Sequence, residues 1–226
     1  MISNVDPDGL IRKTKRYEFI DGFRDIQIGL LFALLGVIGW VELHPVWIKI
    51  VFDLTGQVGK WAMPIILLML FGPLFAAILG VQLLMNAVRR RWLWSESGIV
   101  KPIRILVSKR TNLMAVLVFM IVFVIGIFLY QQEGNDPWFV LRVIFASTGW
   151  ASGVVMLFHG KDIKLPRYIW LGVIGGVIST VQMFVRLDYG QSWLLFGSSW
   201  GALLISSGFI ALYNAWSKAK WDSHDG

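Results

Sequence analysis

The chain has 226 residues, of which 15% are charged and 56% hydrophobic, with a net charge of +7 and a mean hydropathy of +0.65. A soluble domain carries about a quarter charged residues and just under half apolar ones, so this composition belongs to a membrane solvent. Cysteine is absent, which excludes disulfides, thiolate metal sites, haem thioether attachment and cysteine nucleophiles.

The first sixteen residues, MISNVDPDGLIRKTKR, are polar and turn-forming. They lack an apolar h-region, so no cleavable signal peptide is expected and the first span should insert uncleaved behind a mobile tail, 1–16. Next, YEFIDGFRDI places Phe19, Ile20, Phe23 and Ile26 on one helical stripe and Glu18, Asp21 and Asp25 on another. That pattern predicts an interfacial amphipathic helix with its apolar side among the headgroups.

Crossing the hydrocarbon takes about 20 mostly apolar helical residues. Six stretches qualify: 26–43, 61–88, 113–130, 138–158, 168–185 and 193–216. The expected fold is an all-α polytopic bundle of six spans, a single domain over 17–216, with a basic loop at 89–110 and a tail at 217–226. Span two carries Pro64 and Pro73, and an interior proline bends a helix.

Charge placement orients the spans. Seventeen Lys and Arg fall before span one, between spans two and three, between four and five, and after six; only four fall on the opposite side. By the positive-inside rule both termini are cytoplasmic, in a multi-pass protein of the cell membrane. Positive charge set beside spans also points to anionic lipid rather than nucleic acid as its partner. The aromatics agree at most span ends, with Trp40, Trp47, Trp61, Tyr130, Trp138, Tyr189 and Trp193 outside and Tyr168, Trp170, Tyr213 and Trp216 inside.

In lipid, helices associate where small residues let backbones approach. Span two has Gly72, Ala76 and Gly80; span six has Gly197 and Gly201; span five has Gly172, Gly175, Gly176 and Ser179. Packing within one bundle is the plain reading, and a homo-oligomer or another membrane protein is the alternative. In the loop RRRWLWSESGIVKPIRILVSKR, Arg89, Arg90, Arg91, Trp92, Trp94, Lys101 and Arg104 form a basic, Trp-bearing surface for anionic lipid or a partner.

The order of these segments, with YEFIDGFRDIQIGLLFALLG entering span one, RRRWLWSESGIVKPI after span two and GSSWGALLISSGFIALYNAW as the last span, resembles a group of prokaryotic multi-spanning membrane proteins. In that group the loop carries a Tyr-Pro-Arg-x-Gly-Tyr-like stretch followed by a basic residue, of which this chain keeps Gly98 and Lys101. The resemblance implies the membrane architecture and no activity.

GWASGVV, from Gly149 to Val155, is similar to the serine motif of rhomboid intramembrane proteases. A serine nucleophile needs a base within hydrogen-bond reach, and the histidines are His44 in an outer loop, His159 at the far end of the same span and His224 in the tail. Ser152 and Gly153 therefore read as packing residues, and no enzyme is expected. The span interiors carry no convergent His, Asp or Glu, so no metal or cofactor is expected.

Polar groups remain at Gln82 and Asn86 in span two, Ser179 and Gln182 in span five, and Ser206 and Ser207 in span six. Hydrogen bonding between helices is the plain reading; the functional one is a midplane ligand pocket between spans four, five and six, lined by Trp150, Gln182, Trp200 and Ser206. Near the outer surface, Arg142 is expected to face the bundle and pair with Glu42 or Asp188, because a charge on a lipid-facing surface is costly. The leading expectation is a non-enzymatic membrane subunit or scaffold; the alternative is a small-molecule binding or transport component.

Overall fold

The structure is a computed structural model and describes residues 22–92, 108–133, 136 and 138–222. Among these are seven α-helices: α1 (Phe23–Glu42), α2 (Pro45–Val58), α3 (Ala62–Trp92), α4 (Lys109–Glu133), α5 (Phe139–Asp162), α6 (Pro166–Phe184) and α7 (Tyr189–Asp222). All but α2 are long and apolar enough to cross a membrane.

Local chemistry fixes several helix starts. His44 Nδ1 accepts from the Val46 amide, with Pro45 at the first helical position of α2. Ser108 Oγ accepts from Thr111 N at the start of α4, and Pro166 opens α6. Before α7, Asp188 and Gln191 cap reciprocally: Asp188 Oδ1 accepts from Gln191 N at 2.7 Å and Gln191 Oε1 from Asp188 N at 3.3 Å. Gly59, with φ of 56°, ends α2, and a single 3-10 turn leads into α3.

The helix α2 lies where a loop was expected between spans one and two. Its start signals are ordinary ones, but at 14 residues it is too short to be caught by a search for spans. The α3 helix also continues past the expected end at 88, so Arg89, Arg90, Arg91 and Trp92 form its last turn. Residues 17–21 of the expected amphipathic helix lie outside the described residues, and Phe23, Asp25 and Ile26 belong to α1 itself.

Four helices make the core. The helices α1 and α7 run antiparallel at very short range: a methyl added at Gly29 would lie 2.9 Å from Gly201 O, and one at Gly197 would lie 2.5 Å from the Gly36 Cα and Phe32 O. Helices α5 and α6 form a second antiparallel pair, with Gly153 against Gly172 and Gly176 beneath the Trp150 ring. The two pairs meet through Trp200 of α7, which is fully buried, fits over Gly175 of α6 and stacks on Phe32 at 5.7 Å. On the flanks, α3 leans on α1 through Val81, Met85 and Phe23, and α4 leans on α5 through Phe123 and Val143.

Candidate functional site

Two polar clusters sit at opposite ends of the four-helix core. At the end where α1 and α6 begin, Asp25 is completely buried. The Tyr168 hydroxyl donates to its Oδ1, Arg167 Nη2 lies 3.1 Å from Oδ2, and Ser207 Oγ donates to the same oxygen at 3.5 Å. The Arg167 guanidinium also lies 5.2 Å over the Tyr168 ring, whose edge meets His159 at 5.8 Å. A buried carboxylate is tolerated when charge and hydrogen bonds replace its hydration, and here two other helices, α6 and α7, supply them. An interfacial amphipathic helix would put Asp25 at the headgroup surface; it is inside the bundle, because α6 and α7 close over that stripe.

At the other end, Arg142 is 3% exposed and faces inward. It donates to Asp136 and to the Val185 carbonyl, and its guanidinium lies 5.5 Å from the Phe139 ring. Its carboxylate is neither Glu42 nor Asp188. Asp136 is six residues away and also accepts from Trp138 N at 3.0 Å, so it reaches Arg142 from the start of the same helix. Asp188 is engaged in capping α7, while Glu42 sits at the junction of α1, α2 and α3 in a small cavity with Trp47, Phe52 and Ile66.

Next to Arg142 is Gln182 of α6, only 6% exposed, and neither its Oε1 nor its Nε2 has a partner. Arg142 Nε is likewise buried and unpaired. These groups border a narrow recess closed by Phe145, Leu187 and Ser192. On the other side of Phe145 lies a cavity of about 340 Å³ between α1, α5 and α7, bordered by Phe32, Leu35, Ile144, Thr148, Trp193 and Phe196.

The four residues expected to share one pocket are not brought together. Trp150 Nε1 donates to Thr180 Oγ1 at 2.8 Å and Trp200 Nε1 to Ser179 Oγ at 3.0 Å, so both indoles serve helix packing. Ser206 is exposed on α7, and Gln182 faces the recess near Arg142. The 340 Å³ cavity thus involves α1 rather than α6. Sequence signals for it were weak, since Phe, Leu and Trp at helical spacing look the same whether they fill a core or border a gap.

The small-residue stripes divide. Gly197 and Gly201 lie in the α1–α7 seam, whereas an added methyl at Gly72 or Gly80 would meet nothing within 4 Å, and Ala76 is exposed. Of the basic surface, Arg91 is exposed at the end of α3; Trp94, Lys101 and Arg104 lie outside the described residues. In the GWASG stretch, Gly149 abuts Ser179 and Gly153 abuts Gly172. His159 lies seven residues beyond Ser152 on the same helix, about 10 Å along its axis at 1.5 Å per residue.

Six long apolar helices among the described residues, with a polar cluster towards each end of the core, fit an integral, multi-pass membrane protein. Comparison with models of known families, with curated proteins and with solved structures finds no match.

Proposed function

We propose that this chain is a non-enzymatic membrane subunit or scaffold, seated in the cell membrane with both termini in the cytoplasm, that acts by helix contact along α3. The observation that carries this reading is the uncovered face of α3. Glycines on α1, α5, α6 and α7 abut neighbouring helices, yet Gly72 and Gly80 face open space and Ala76 lies exposed between them. Gln82 is exposed on another side of the same helix. A small-residue face lets a second helix come into close van der Waals contact. The basic surface at 89–110, rich in Arg and Trp, supports anchorage to anionic lipid on the side where positive charge collects.

The test uses the natural absence of cysteine. Ala76→Cys in native membranes, treated with a mild oxidant, should give a disulfide-linked dimer, whereas Ile210→Cys, exposed on α7, should not. Equal cross-linking at the two positions, or none at Ala76 with a monomeric mass in nanodiscs and no co-purifying protein, would remove the reading.

A further inference from the structure

The orphaned groups around Gln182 carry an inference that is independent of contact along α3. A buried primary amide without partners is costly, and a native structure that keeps one has a use for it. Gln182 offers one acceptor, Oε1, and the hydrogens of Nε2; Arg142 adds the Nε–H. The Arg142 charge is already offset by Asp136, and its Nη1 is committed to Val185. Ser192 donates to the Asp188 carbonyl at 2.7 Å and so is committed as a donor too. What remains is an electrically neutral set, the Gln182 amide and the Arg142 Nε–H, bordering one recess.

That set matches one kind of group. A carboxamide, or a carboxyl in its un-ionised form, pairs with a primary amide through two hydrogen bonds: its own N–H or O–H donates to Oε1, and its carbonyl accepts from Nε2. The same carbonyl has a second lone pair for Arg142 Nε. An ionised carboxylate would set negative charge against Oε1, and an ester could not donate to it. The recess is too narrow for a water-sized sphere, so such a head group enters only as Phe145 shifts. Phe145 is also the wall of the 340 Å³ cavity, where it meets Trp193 edge-on at 5.1 Å and Phe196 at 5.2 Å. The volume is at the lower end of the roughly 300–1,000 Å³ usual for ligand pockets. Its walls are mostly apolar, with polar atoms from Thr148, whose hydroxyl bonds to Ile144 O, from Tyr189 and from the Trp193 indole.

We infer that α1, α5, α6 and α7 form a binding site for a single-chain amphiphile, its apolar chain in the cavity and a carboxamide or un-ionised carboxyl head on Gln182 and Arg142. The probes are tritiated dodecanamide and methyl dodecanoate, both uncharged and equal in chain length, added to the full chain in phosphatidylcholine nanodiscs with empty nanodiscs as reference. Dodecanamide should be retained saturably, one per chain, and the ester about tenfold more weakly, since it leaves the acceptor of Gln182 unpaired. Gln182→Leu should bring the amide down to the level of the ester, and Leu35→Trp, which fills the cavity, should abolish retention of both. Equal retention of the two probes by the native chain, or none above empty nanodiscs, would overturn the site. The comparison of probes on the native chain holds even where a variant folds poorly.

Discussion

Removing a carboxylate from water costs several kcal/mol unless new partners replace the lost hydration, and Asp25 meets that condition with groups drawn from two other helices. Arg167 and Tyr168 come from the first turn of α6, and Ser207 from far along α7. Asp25→Ala leaves the Arg167 charge without its carboxylate and should cost about 3–5 kcal/mol. Tyr168→Phe removes one hydrogen bond to a charged group, a loss of about 1.5–3 kcal/mol. Thermal unfolding in a mild detergent should rank the two in that order; a variant Asp25→Ala as stable as the native chain would show the cluster to be dispensable. The stripe containing Asp25 was legible in the sequence, but its environment was not. Helical spacing says which residues share a face, not whether that face meets headgroups or other helices, and Tyr168 stands 143 positions away. Arg142 shows the reverse case: the cost of a lipid-facing charge was enough to turn it inward, while its carboxylate was chosen by the local cap at Asp136.

At the scale of elements, the α1–α7 seam depends on close approach. Gly29 and Gly36 of α1 meet Gly201 and Gly197 of α7, and no side chain fits between. Gly197→Leu should force the helices apart and cost about 1–3 kcal/mol, as overpacked interiors do. Gly80→Leu, facing open space, should leave the stability of the isolated chain nearly unchanged. Differential scanning in detergent distinguishes them, and equal losses would contradict the packing. Four-residue spacing of small residues marked Gly197 and Gly201 and also marked Gly72, Ala76 and Gly80. The pattern records a capacity for close contact; it does not say whether the partner lies within the chain. The complementary glycines of α1, spaced by seven, form no such conspicuous run. The six spans themselves were legible because length and hydropathy are local properties, whereas α2 announced itself only through Pro45 and the His44 cap.

Across the whole molecule, the helices form a central set, α1, α7, α6 and α5, with α3 against α1 and α4 against α5 on the flanks. Exposed apolar side chains run along both flanking helices, as on Leu68, Phe75 and Leu83 of α3 and Leu113, Ile125 and Phe128 of α4. The distribution of Lys and Arg supports cytoplasmic termini, and cysteine chemistry tests this. In a Gln57→Cys variant the thiol on α2 should react with a membrane-impermeant maleimide on intact cells, whereas that of Asp162→Cys, at the end of α5, should react only after permeabilisation. The opposite labelling would reverse the orientation.

The seam between the first and last spans also bears on the order in which the chain can be made. The α5–α6 pair is joined by three residues and can close as soon as both helices leave the ribosome. By contrast, α1 must wait for α7, some 150 residues later, and until then its glycine face is bare and Asp25 lacks the hydroxyl of Ser207. Until α7 arrives, then, the first span stands in the bilayer with its closest-fitting face open and its carboxylate short of a partner, and the last span to be made is the one that seals the first.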